Sequence, residues 1–220
     1  MNGNTTPIWA VLPVKELEGA KQRLSPRLSS AQRQALMRLM IGEVLAALAG
    51  ARGLAGIALV TLDPWATEQA KRLGARVITE GARDGHTGSV TAAARILAAE
   101  GQGMLALPGD IPAITAAEVE ALLAAHGAAP AFTIAPAHDL QGSNAIILTP
   151  PLAVPLRFGE DSYYPHLAAA RARGIEPRIV PLPGIAMDID NPADLDALAR
   201  LPEAAGTRSL AWLRAEGLVA

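Results

Sequence analysis

Residues 8–62 read IWAVLPVKELEGAKQRLSPRLSSAQRQALMRLMIGEVLAALAGARGLAGIALVTL, and this stretch decides the fold. It opens with seven mostly apolar residues (8–14) and closes with another short apolar run (57–62), lengths that suit buried strands. Between them, 29–49 carries Leu36, Met40, Val44 and Leu48 on one helical face beside Met37, Ile41 and Leu45, with Gly50 as the stop. Strand, helix, strand within 55 residues is a βαβ unit, so the two strands are expected to run parallel.

The pattern continues outward from this unit. Further apolar runs lie at 76–79, 104–107, 131–135 and 144–148, with a closing pair near 178–180 and 185–189. Helix starts are marked by Asp63 before Pro64, by Thr115 with Glu118 three residues on, and by Asn191 before Pro192. The expected fold class is α/β: a Rossmann-like, mostly parallel sheet flanked by helices. It becomes mixed beyond Ala131, where the strands crowd together and one antiparallel member fits.

Composition narrows the class. A chain of 220 residues, half of them hydrophobic, can bury one core, and no repeat or composition break marks a second. A single domain over 1–220 is expected, with its core at about 7–200 and a short helix in the tail 207–220 anchored by Leu210 and Leu213. The net charge of −2 provides no basic field for nucleic acid. The lack of cysteine removes disulfides, thiolate zinc sites and thiol nucleophiles, and fits the cytoplasm. The opening MNGNTTPIWAVLPVK has no basic region followed by an apolar one, and no apolar run is long enough to span a bilayer, so neither export nor a membrane anchor is expected.

In an open α/β sheet, ligands bind beyond the carboxyl ends of the strands, so polar residues there carry the chemistry. After the first strand, Lys15, Lys21 and Arg23 form a cationic loop able to neutralise a triphosphate and a departing pyrophosphate. The same residues fit a solvated basic loop, and the chain has neither a P-loop nor a GxGxxG signature. LPGDIP (107–112) puts Asp110 at a strand exit, as a magnesium ligand or a turn residue. In MDIDNPADL, period-two spacing would aim Asp188 and Asp190 at the same cation, while Asn191 and Asp194 shape the following helix. Ser143 and Ser162 can donate to a carboxylate or phosphate, Gly159 permits close backbone approach, and Ser162 can cap a helix whose amides face an anion.

In order, PVK (13–15), KQRL (21–24), LPGDIP, GSNA (142–145), FGEDS (158–162) and DIDNPADL (188–195) resemble the CofC/FbiD family of guanylyltransferases that open coenzyme F420 side-chain assembly. That family has the nucleotide-diphospho-sugar transferase-like fold. The resemblance implies that the phosphate of a three-carbon acid (2-phospho-L-lactate, phosphoenolpyruvate or 3-phosphoglycerate) attacks the α-phosphorus of GTP and releases pyrophosphate. By position, it implies that Asp110 and Asp190 hold Mg2+, that Lys15, Lys21 and Arg23 face the triphosphate, and that Ser143, Gly159 and Ser162 bind the acid. A phosphate oxygen is already an anionic nucleophile, so His166 is expected to be structural or substrate-orienting rather than a base.

The chain departs from the family where a GLN.AL-like helix start would frame the nucleotide. Here the sequence reads DGHTGSVTAAARIL (84–97), leaving Gly85, His86, Thr87, Gly88 and Ser89 to offer amides and hydroxyls instead. Two rival readings stay open: a CTP or GTP enzyme with a molybdopterin- or sugar-phosphate acceptor, and a homologue that binds a nucleotide or metabolite without turnover. A homodimer is held open as the assembly.

Overall fold

The computed structural model describes residues 6–159 and 161–220. The reading of the N-terminal segment as lacking an export signal therefore falls partly on 1–5, outside the described residues, as does position 160 within FGEDS.

The opening βαβ unit forms as its pattern predicts. Strand β1 (Ile8–Val14) leads through a cationic loop to helix α1 (Ser30–Gly50) and then to β2 (Leu54–Thr61), parallel to β1. Ser29 starts α1 through a reciprocal capping box with Gln32. Along β1, Ala10, Leu12 and Val14 enter the core on one side and Val11 the core on the other, as alternation in a sheet covered on both faces requires.

Helix α2 (Pro64–Arg72) leads to β3 (Arg76–Ile78), α3 (Gly85–Ala99) to β4 (Gly103–Ala106), and α4 (Ala116–Ala125) to β5 (Ala131–Pro136). Asp63 caps α2, and Thr115 caps α4 in a capping box with Glu118, both as their sequence signals indicate. Strand β6 (Ser143–Thr149) follows, then α5 (Tyr163–Ala172) and β7 (Arg178–Ile179).

The seven strands form one sheet in the order β3-β2-β1-β4-β6-β5-β7. Strand β6 is antiparallel to both its neighbours, β4 and β5, whereas the other pairings are parallel. The link 137–142 is too short for a crossover, so β5 and β6 must run in opposite directions. The mixed sheet expected beyond Ala131 is present, and β6 is its reversed strand.

One expected strand is absent. Residues 185–189 form no ladder: Ile185 lies in a short helix α6 (Pro183–Ala186), and the chain then has no regular structure to 190. Pro183 starts that turn, and Gly184 packs so tightly on the Ala113 carbonyl that a Cβ would collide with it. The Gly184 N–H donates to Glu118 at 2.7 Å, and Asn144 takes up the Ile185 and Ala186 carbonyls at 3.0 and 3.2 Å. Side chains thus satisfy the backbone that a neighbouring strand would otherwise pair.

Helix α7 (Pro192–Arg200) is capped by Asn191 in a capping box with Asp194, and α8 (Arg208–Ala215) closes the chain. Leu210 and Leu213 are buried with Leu36 and Met40 of α1, as expected of the tail. Among the described residues, no helix is long and apolar enough to cross a membrane.

Candidate active site

A cleft of about 970 Å³ opens at the rim where β1 and β4 end and β6 begins. It is lined by Lys15, Lys21, Arg23, His86, Thr87, Asp110, Ser143, Gly159, Ser162, Asp188 and Asp190. These residues, drawn from distant parts of the sequence, therefore face one space. Gly85 stands apart from the lining: it opens α3 at φ 74°, and its carbonyl accepts the Ser89 hydroxyl at 2.8 Å.

Asp110 and Asp190, 80 positions apart in the chain, meet around one cation. The Ile189 N–H donates to the Asp110 carbonyl at 3.0 Å, clasping the two segments together. The Asp194 carboxylate then accepts the N–H groups of Asp190 and Asn191, each at 2.7 Å, so the α7 capping box also fixes Asp190. The cation is the Lys21 ammonium, which donates to Asp190 at 2.7 Å and also to Asp110.

Only 9% of the Lys21 side chain is exposed. Burial alone would lower its pKa, but the charges of Asp110 and Asp190 and the hydrogen bonds to both outweigh burial, and the net shift is upward. The lysine expected on a triphosphate thus rests on the carboxylates expected to hold a metal. Lys15 is exposed just after β1, and Arg23 lies in a single 3-10 turn (Gln22–Leu24).

The cationic loop is held by groups to which the motifs do not point. Arg33, buried near the start of α1, donates to the carbonyls of Ala20 at 3.2 Å and Leu28 at 2.9 Å. On the other side, the Leu17 N–H donates to Asp63 at 3.3 Å. These anchors hold Lys21 in the left-handed region at φ 53°, a strained conformation for a non-glycine residue that its two ion pairs offset. A signal for Arg33 exists in the sequence, since it shares the apolar helical face of Leu36 and Met40.

The two carboxylates suit a hard cation. The Asp110 Oδ1 atom is buried without a hydrogen-bond partner, while Oδ2 binds the lysine. Among the described residues, no three histidine or acidic side chains cluster into a cage, so Asp110 and Asp190 are a candidate pair of donors. That is the set magnesium uses when substrate phosphates and water complete its shell.

Asp188 lines the same cleft but has a different partner. The segment is not a strand, so period-two alternation does not set its side-chain directions, and Asp188 accepts from Asn144 at 3.0 Å. Burial raises its pKa, opposed by the Asn144 bond and reinforced by the charges of Asp110 and Asp190. Asn144 belongs to the GSNA motif but is given no role there, although a polar amide in the otherwise apolar NAIIL run is a visible signal.

A second part of the lining is built from uncharged, buried side chains, with Asp139 and Asp161 beside them at the cleft surface. Ser143, the first residue of β6, and Ser162, just before α5, approach to 3.2 Å through their hydroxyls, and His166 Nδ1 lies 2.9 Å from Ser143 Oγ. Ser162 takes the N-cap position of α5, but its side chain makes no capping bond and turns to Ser143 instead. Gly159 sits at φ 139°, a conformation that side chains disfavour.

Phe158 connects this wall to α3. It packs edge-on against His86 (centroids 4.6 Å apart) and against His166 (5.3 Å), while Thr87 Oγ1 accepts its N–H at 3.0 Å and donates to its carbonyl at 3.3 Å. Burial keeps the His86 pKa low, the nearby Asp110 pulls it upward, and Lys15 pushes it further down.

The chain is similar to known proteins over most of its length. The family described as "Guanylyl transferase CofC like" matches residues 8–219. The chain is 40% identical to the phosphoenolpyruvate guanylyltransferase of Rubrobacter xylanophilus, over 91% of this chain and 96% of that protein. It is 37% identical to the 3-phospho-D-glycerate guanylyltransferase of Colwellia psychrerythraea, over 87% and 90% respectively. Among solved structures it is similar in fold to a protein from Desulfovibrio desulfuricans G20 provisionally assigned as a nucleotide-diphospho-sugar transferase. That likeness has a TM-score of 0.76 and 20% identity, covering 97% of each chain. A 4-diphosphocytidyl-2C-methyl-D-erythritol synthase has the same architecture at a TM-score of 0.60 and 14% identity, covering 87% of this chain and 96% of that one. With a family match over residues 8–219 and a relative 40% identical over 91% of the chain, the chain belongs to the CofC-like guanylyl transferase family.

Proposed function

We propose that this protein transfers GMP from GTP to the phosphate of a small three-carbon acid, in the class of phosphoenolpyruvate, 3-phosphoglycerate and 2-phospho-L-lactate. A phosphate oxygen of the acid attacks the α-phosphorus of GTP, the bond from that phosphorus to the β-phosphate bridging oxygen breaks, and pyrophosphate leaves with the electron pair. The product is a guanylylated diphosphate, of the kind used in coenzyme F420 assembly. Both substrates are cytoplasmic metabolites, and we place the reaction there.

The observation that carries this reading is the meeting of Asp110 and Asp190 around one cation at the mouth of a cleft that the uncharged Ser143–Ser162 pair also lines. Asp110 and Asp190 would hold Mg2+, which, when bound, supplies charge neutralisation and a fixed template for the phosphate oxygens. Lys15, Lys21 and Arg23 neutralise the triphosphate and the pyrophosphate that leaves. The start of α3, with His86 and Thr87, faces the nucleotide, and Ser143, Gly159 and Ser162 orient the acid. Alignment and charge neutralisation carry the rate, and no side chain has to remove a proton.

The test is a pyrophosphate-release assay with GTP, ATP or CTP against each of the three acids, with and without magnesium. Release that requires GTP, one of the acids and magnesium is expected. Nucleotide binding without release for every pair would overturn the reading in favour of a binding protein, and release only with a sugar- or pterin-phosphate would reassign the acceptor.

A further inference from the structure

The serine wall contains a proton count that fixes its polarity. His166 is 1% exposed, and both ring nitrogens are engaged. Its Nε2 lies 2.9 Å from the Arg157 backbone N–H, and its Nδ1 lies 2.9 Å from Ser143 Oγ. A backbone N–H can only donate, so Nε2 must be unprotonated. The ring is then neutral, with its proton on Nδ1, and Nδ1–H donates to Ser143 Oγ. Burial, aided by the nearby Arg157 charge, lowers the His166 pKa to about 4 and keeps the ring in that state near neutral pH.

Ser143 and Ser162 together hold two hydroxyl protons. One is consumed by the bond between them, whichever way it runs, and neither hydroxyl has a further partner among the described residues. One O–H therefore remains, on a residue that lines the cleft. The opposite tautomer would reverse the wall. Ser143 would donate to Nδ1, Ser162 would donate to Ser143, and the cleft would face lone pairs that repel an anion.

We propose that His166 is a positioning residue that sets the Ser143–Ser162 pair as a hydrogen-bond donor to an anionic oxygen of the acceptor acid, without touching that acid or moving a proton itself. This rests on the reading of the serine wall as the acceptor site.

Two substitutions separate this role from merely holding the chain at Arg157. In His166→Asn, the amide N–H sits near the position of Nδ1 and can still donate to Ser143, whereas the Arg157 N–H loses its acceptor. In His166→Gln, the longer amide can reach the Arg157 N–H, and the donor to Ser143 is lost. Steady-state kinetics should give an acceptor KM within about threefold of wild type for His166→Asn. For His166→Gln it should rise roughly tenfold or more, with the KM for GTP unchanged. The reverse order, or equal effects in the two variants, would overturn the proposal.

A second readout needs no variant. The 15N shifts of the wild-type ring should report Nδ1–H at neutral pH, and an Nε2–H ring would overturn the proposal even with both variants unfolded. An inactive wild type would sink the acceptor-site reading itself, whereas an active wild type with an Nε2–H ring would sink only this inference.

Discussion

The two walls of the cleft are built on opposite physical principles. On one side, Lys21, Asp110 and Asp190 hold each other by charge, with the Asp190 side chain 46% exposed to the solvent a substrate would displace. On the other side, Ser143, Ser162 and His166 are buried, neutral and joined by directional hydrogen bonds. Ion pairs can exchange partners when a stronger charge arrives, because Coulomb attraction has little angular demand. A hydrogen-bond chain with fixed donors cannot reorganise without leaving a buried group unpaired. The charged wall is thus suited to changing partners during turnover, and the neutral wall to presenting an unchanging template.

The charged wall gives the largest expected effect. Asp110→Asn keeps the side chain's size but removes the charge that pairs with Lys21 and that is proposed to hold a metal. Turnover should fall roughly 1,000-fold in a protein that still unfolds cooperatively, with a lower melting temperature because Lys21 loses one of its two counter-charges. Near-normal turnover would show that this wall does no electrostatic work in the reaction.

Exchange of partners is tested by Lys21→Met, which keeps the stem and deletes the ammonium. Asp110 and Asp190 are then left facing each other unscreened, so magnesium alone, without nucleotide, should raise the melting temperature of this variant more than that of wild type. Turnover should also drop about tenfold or more, because the ammonium proposed to neutralise the triphosphate is gone. Equal responses of the two proteins to magnesium would mean that the lysine and the metal do not compete for one place.

The smallest effect belongs to the neutral wall. The His166 pKa falls from 6.5 to about 4 on folding, so between those values the native state binds fewer protons than the unfolded chain. Stability from this group is complete above about pH 6.5 and is lost as the pH falls toward about 4. Thermal melts over that range should decline, and His166→Asn should make the decline shallower. The remaining slope belongs in part to His126, whose burial between Thr133 and Thr149 lowers its pKa to about 4 as well. An identical slope in the variant would mean that the His166 ring already exchanges protons freely with solvent.

The contrast also explains what is legible in the sequence. Strand exits can be read because short apolar runs end visibly, so local pattern alone puts Asp110 and the loop bearing Lys15, Lys21 and Arg23 at the rim. Capping residues are equally local, and Asp63, Thr115 and Asn191 all perform as their spacing indicates. Partners set by tertiary contact are hidden. Nothing local indicates that Lys21 rests on Asp110 and Asp190, that Ser162 forgoes its cap for Ser143, or that Asn144 replaces a strand partner for 185–186. The expected strand at 185–189 fails for the same reason: its alternating pattern is genuine, but Pro183 and the close packing of Gly184 leave it no ladder to join.

The reversed strand β6 has a consequence for the acceptor side. Because it starts at the rim where β1 and β4 finish, Ser143 and Asn144 are delivered by chain arriving from the short link 137–142 rather than departing into a helix. That link lines the cleft and is tied to α6 by the His138 N–H on the Ala186 carbonyl at 3.0 Å and to α5 by the Tyr163 N–H on the Gln141 carbonyl at 2.9 Å. On the proposed assignment, a change in this link would reach the acceptor side of the cleft before the residues assigned to the triphosphate.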